Sequence, residues 1–294
     1  MSRAFHRYPR YGTLGLILLL LMETAIFAGR AQVLPEIPWD LITGWATPVC
    51  WSGYILAVDA WIYRRRGTSL LTARRDLFAL QCILSVAFWC VFEAYNRILP
   101  GWRYVNLDEN LAVRFCGYAI AFATIMPGLF LTCELLQTYA LFANVAGPPL
   151  RWTNAKLNLS LAVGALFCLV PPFLPGEIRG YFWVCVWTGW IWLLEPINYR
   201  RGAPSLYRDW ERGEWARTCQ LALAGVLCGL LWEFWNVWAY TKWVYLFPVP
   251  WRESLHYFEM PLLGFLGFLP FAVEYFVMFH FIASFFTRDD KLGL

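Results

Sequence analysis

Long apolar runs, each almost free of charge between its ends, constrain this chain more than any other feature. The first, LGLILLLLMETAIFAG at 14–29, carries a single acid, Glu23. A helix rises about 1.5 Å per residue and the hydrocarbon core of a bilayer is about 30 Å thick, so such runs suit transmembrane helices. They recur near 13–29, 44–63, 77–98, 113–143, 157–174, 180–199, 218–240 and 257–286. Only 15% of the residues are charged, against about a quarter in a soluble domain, too few to cover a water-facing surface. The pattern predicts an all-α integral membrane protein of about eight transmembrane helices. Pro127 in the fourth run, and Pro261 and Pro270 in the eighth, predict kinks. The first run lacks a small-residue cleavage site and contains Glu23, so it reads as a span and not as a signal peptide.

Of the 24 Lys and Arg residues, 17 fall on the side that holds both termini and the loops after the second, fourth and sixth runs. That bias predicts cytoplasmic termini and a multi-pass protein of the cell inner (plasma) membrane. It also accounts for the net charge of +4. The basic residues lie in short loops beside the bilayer, an arrangement suited to lipid headgroups and not to nucleic acid. Nine cysteines are scattered without a CxxC pair and read as small apolar residues. His6, His256 and His280 are far apart, so no metal centre and no cofactor is expected.

The chain is written twice. YRRRGTSL at 63–70 answers YRRGAPSL at 199–206, and each is preceded by an acid, Asp59 or Glu195. FEAYN at 92–96 answers WEFWN at 232–236, and each is followed by a Trp-x-Tyr: Trp102 and Tyr104, then Trp243 and Tyr245. Glu134 and Glu274 each follow a proline, Pro127 or Pro270, and LPEI at 34–37 answers LPGEI at 174–178. These matches imply two tandem four-helix repeats, 1–145 and 157–294, joined by a cytoplasmic linker at 146–156. An even number of spans per unit gives both copies the same orientation, with a pseudo-twofold axis along the membrane normal.

A carboxyl group inside hydrocarbon must be protonated, paired or wetted. Asp59 and Glu195 fall at inner helix ends beside arginines, where an interfacial ion pair is the simplest reading. Glu134 and Glu274 suit either a helix-helix hydrogen bond or a functional role. Glu93 with Asn96, and Glu233 with Asn236, place an acid and an amide on one helix face inside an aromatic wall. They are read as proton-handling groups with the amides orienting them, or else as interhelical clamps. The candidate catalytic set is therefore Glu93, Asn96, Glu233, Asn236, Glu134 and Glu274. Trp89, Trp102, Tyr104, Trp232, Trp235, Trp243 and Tyr245 form the candidate substrate wall, although Trp and Tyr after each motif also fit an interfacial aromatic belt.

These motifs resemble the membrane lycopene cyclase domain family over about half of each repeat. Those proteins also look duplicated, with an acid and an amide near a helix end, a Trp- and Tyr-rich turn, and a helix with proline followed by acid. The matching residues are Glu233, Asn236, Trp243, Tyr245, Pro270 and Glu274, and in the first copy Glu93, Asn96, Trp102, Tyr104, Pro127 and Glu134. The family's prolines precede a pair of acids, whereas single acids follow here. The resemblance implies carboxyl-group proton transfer to a hydrophobic isoprenoid or lipid, with aromatic faces stabilising a carbocation. Two other classes fit the residues: a non-catalytic subunit bound to a partner membrane protein, and a transporter of a hydrophobic or proton-coupled solute.

Overall fold

The computed structural model describes residues 5–247 and 255–286; four of the 24 basic residues, Arg3, Arg252, Arg288 and Lys291, lie outside them. The main helices are α1 (Arg10–Arg30), α2 (Ala46–Arg66), α3 (Arg75–Ile98), α4 (Leu111–Ala123), α5 (Ile125–Thr138), α6 (Asn154–Leu169), α7 (Trp183–Arg201), α8 (Ala216–Trp238) and α9 (Phe268–Ala283). Among the described residues, six stretches are long and apolar enough to cross a membrane: Arg10–Arg30, Arg75–Ile98, Leu111–Thr138, Asn154–Phe173, Ala216–Trp238 and Leu262–Ala283. The chain is thus a multi-pass helical membrane protein. The expected second and sixth runs become α2 and α7, which have spanning length, 21 and 19 residues, without that apolarity. Their place in the bundle explains it. α2 packs against α1, α5 and α8, and α7 against α6 and α9, so neighbouring helices, not lipid, meet much of their surface.

Two expected helices are cut short. The run at 113–143 breaks at Thr124 and ends at Thr138. Pro127 has no N–H to give the Ala123 carbonyl. Ser85 of α3 bridges the break, donating to Phe122 O and accepting from Met126 N. The run at 257–286 begins as a small turn, His256–Tyr257 paired with Met260–Pro261, followed by a 3-10 stretch at Leu262–Gly267; the α-helix starts only at Phe268.

Two short strands escaped the sequence reading. β1 (Trp102–Val105) and β2 (Lys242–Tyr245) pair antiparallel with Trp102 opposite Tyr245 and Tyr104 opposite Trp243. The expected aromatic belt is therefore a ribbon folded back over the bundle. Beneath it, fully buried Trp51 of α2 packs against Trp232 and Trp235 of α8, with ring centroids 4.7 and 5.1 Å away.

The expected ion pairs at Asp59 and Glu195 are replaced by turn caps. Asp59 accepts from Tyr11 OH, Ser69 Oγ and Leu71 N, and Glu195 from Ser205 Oγ, Leu206 N and Tyr207 N. Gly67 and Gly202, at φ +78° and +74°, end α2 and α7 in the left-handed region and let the chain turn back onto these acids. Both acids are fully buried, so the turn supplies the donors that a carboxylate away from water requires. Asp59→Ala removes the acceptor for three donors and is expected to cost about 1–3 kcal/mol. Thermal unfolding in mild detergent reads this as a lowered midpoint; an unchanged midpoint would mean that the turn is held by other contacts.

Candidate functional site

The ribbon roofs a cavity of about 580 Å³. Successive side chains of a strand alternate in direction and directly paired residues share a face, so Trp102, Tyr104, Trp243 and Tyr245 stand together, and all four line the cavity. Trp89 of α3, Trp187 of α7, Trp232 of α8 and Phe271 of α9 face it from the bundle. α4 closes one side with Tyr118 and Phe122, whose rings stack at 5.5 Å. Charged residues sit in the same wall: Asp40, Asp108, Glu109, Arg114 and Lys242. Lys242 is ion-paired with Glu259 at 2.5 Å, and Arg114 donates to the Asp108 carbonyl. Thr47 Oγ1 and Trp187 Nε1 are buried in this lining without a hydrogen-bond partner among the described residues.

Behind the ribbon lie the two glutamates. Glu93 Oε1 accepts from Trp89 Nε1 at 3.0 Å, Trp102 Nε1 at 3.0 Å and Tyr104 OH at 2.6 Å. Glu233 is fully buried, and its Oε1 accepts from Tyr245 OH at 2.5 Å. Trp243 Nε1 donates to the same Tyr245 oxygen at 2.9 Å. Neither carboxyl group lines the cavity; the tyrosine hydroxyls stand between acid and cavity. Burial, and then the neighbouring carboxylate, hold both hydroxyls well above the ordinary phenol range.

The asparagines hold the ribbon and do not touch the acids. Asn96 accepts from Gly101 N and Trp102 N and donates to Trp102 O; Asn236 accepts from Trp243 N and donates to Trp243 O. Six of the seven residues expected in the substrate wall line the cavity. Trp235 does not: it packs on Trp51 and Tyr54 and donates to Glu23. Glu134 is also elsewhere, ion-paired with Arg66 at 3.3 Å and Arg74 at 2.7 Å. Glu274 is fully buried, and neither of its oxygens has a hydrogen-bond partner among the described residues. Sequence reasoning missed Trp187, Phe271, Tyr118 and Phe122. For Trp187 a signal existed, since it lies 136 residues after Trp51, the offset of the YRR motifs. The described residues hold no group of three or more His, Cys, Asp or Glu able to bind a metal ion.

No family model, curated protein or solved structure matches the chain.

Two expectations follow. Asn96→Ala and Asn236→Ala free the backbone amides of Trp102 and Trp243, so hydrogen exchange there should quicken by at least about fivefold, since even one lost hydrogen bond is worth about 1 kcal/mol or more; unchanged protection would show that strand pairing alone holds the ribbon. Phenols in an unfolded chain ionise near about pH 10, and the two ribbon hydroxyls ionise higher when folded. Their contribution to stability is therefore complete below that pH and lost as pH rises above it. In an alkaline absorbance titration they should ionise last and together with unfolding. Loss of early-titrating signal in Tyr104→Phe or Tyr245→Phe would contradict this.

Proposed function

We propose that the protein binds an isoprenoid or other lipid in the aromatic cavity and transforms it by carboxyl-group proton transfer, with Glu93–Tyr104 and Glu233–Tyr245 as the proton-handling pairs. One observation carries this reading. Two separate acid–tyrosine pairs, from the two halves of the chain, converge on a single aromatic-lined cavity. An apolar, tryptophan-rich lining suits a hydrocarbon ligand, and its ring faces suit a developing positive charge. The unpartnered Thr47 hydroxyl and Trp187 indole N–H favour a ligand that also carries a hydrogen-bonding group. The resemblance to the membrane lycopene cyclase domain family supports the same substrate class.

The proposed frame is a duplicated four-helix unit with eight spans, both termini cytoplasmic, in the inner membrane. The paired turn caps at Asp59 and Glu195 favour it. So does the ribbon, in which each Trp-x-Tyr meets the other with Trp opposite Tyr, a pairing that maps onto itself when the two copies are exchanged.

The test is mass spectrometry of lipid-soluble material that co-purifies in mild detergent, followed by conversion assays on the class of compound found. Glu93→Gln and Glu233→Gln should each lower conversion by about 10²–10⁴-fold, the range for general acid–base groups. Tyr104→Phe and Tyr245→Phe should fall in the same direction. Full conversion by both glutamine variants would end this reading, and bulk phospholipid together with a stoichiometric second protein would favour a subunit of a membrane complex.

A further inference from the structure

The two acid sites answer one another in sequence and differ in hydrogen bonding. Glu93 Oε1 receives three donors, two of them indole N–H groups that cannot accept. An oxygen surrounded in this way acts as acceptor alone, the arrangement of a carboxylate stabilised by charge-assisted hydrogen bonds. Glu233 Oε1 receives one donor, and its Oε2, buried with the rest of the side chain, has no partner among the described residues. A bare anionic oxygen there would carry its full desolvation cost, which a proton removes. The donor that makes the difference can be named. Trp102 gives its indole N–H to Glu93, whereas its counterpart Trp243 gives its own to the Tyr245 hydroxyl. Among the described residues neither glutamate has an ion-pair partner that would reverse this assignment.

We infer that the two halves divide the proton chemistry: Glu233 is the neutral acid that supplies a proton, and Glu93 is the carboxylate that receives one. This rests on the proton-transfer reading above. For a substrate with a carbon–carbon double bond the step balances without an oxidant or reductant. In this step the Tyr245 O–H turns from Glu233 Oε1 to the alkene and the protonated oxygen of Glu233 turns to the hydroxyl in its place; Tyr245 gives its O–H proton to one alkene carbon and takes the proton of Glu233, and the π electrons form the new C–H bond. The carbocation left on the other carbon loses a neighbouring proton, and that C–H electron pair becomes a new double bond. Tyr104 takes this proton while giving its own to Glu93, to which it already donates. The enzyme then holds Glu93 protonated and Glu233 ionised. Tyr104 and Tyr245, both on the same face of the ribbon, carry the proton back.

Infrared spectroscopy of the detergent-solubilised protein in H₂O and D₂O tests the assignment through the C=O stretch of protonated carboxyl groups, and needs no substrate. Glu274 also has unpartnered oxygens, so Glu274→Gln is recorded alongside to remove its contribution. Glu233→Gln should abolish a component that Glu274→Gln retains, while Glu93→Gln abolishes none. Tyr245→Phe should shift that component without abolishing it, and Tyr104→Phe should leave it in place; these two variants keep both carboxyl groups if the glutamine variants fold poorly. Loss of the component in Glu93→Gln, or its persistence in Glu233→Gln, overturns the assignment. Its persistence unshifted in Tyr245→Phe does the same. If the bands behave as expected while turnover is indifferent to both glutamine variants, the proton-transfer reading falls and the protonation assignment stands.

Discussion

A carboxyl group among packed helices has to be met by donors, because leaving it bare costs several kcal/mol. Most of the irregular structure in this protein answers that requirement. Asp59 and Glu195 draw the chain after α2 and α7 back over their own helix ends. Glu93 and Glu233 are met by the ribbon, and Glu134 by two arginines, Arg66 at the end of α2 and Arg74 just before α3. Among these acids Glu274 breaks the pattern, with no hydrogen-bond partner among the described residues. The positions 136 residues after Arg66 and Arg74 hold Gly202 and Trp210, so the second half lacks the cations that serve Glu134.

The same requirement builds the cavity. An asparagine one turn beyond each glutamate binds the backbone at the start of each strand, and the strands then place Tyr104 and Tyr245 between the acids and the open space. A phenol in that position separates the apolar cavity from the buried carboxyl group behind it. The indoles serve two purposes at once. Their faces line the cavity, and their N–H groups set how much negative charge each glutamate can carry.

The helical membrane character was legible because it depends on composition and run length, both local properties. The acid and aromatic positions of the site were legible for a similar reason: Glu93, Glu233, Trp102, Tyr104, Trp243 and Tyr245 stand out against apolar surroundings. What they do to one another was not. A Trp-x-Tyr suits an interfacial belt as well as a strand, and β1 finds its partner some 140 residues away, a pairing with no short-range signal. The break at Thr124 needs Ser85 from another helix, and the partners of Glu134 lie 60 and 68 residues back. Trp235 could not be told from Trp232 by sequence, since three residues apart on one helix they differ only in which neighbour they meet. The apolarity of α2 and α7 was overestimated because run length does not report how much lipid a helix touches.

The ribbon also has a consequence for biosynthesis. Its first strand leaves the ribosome early and its second only after four-fifths of the chain has been made. Until then β1 presents an unpaired edge, and Trp102 and Tyr104 cover a chamber with half a roof. Insertion of the early helices therefore cannot complete the site. Closure is a late, long-range event that joins the two halves of the chain, and until it occurs the open edge is free to pair wrongly.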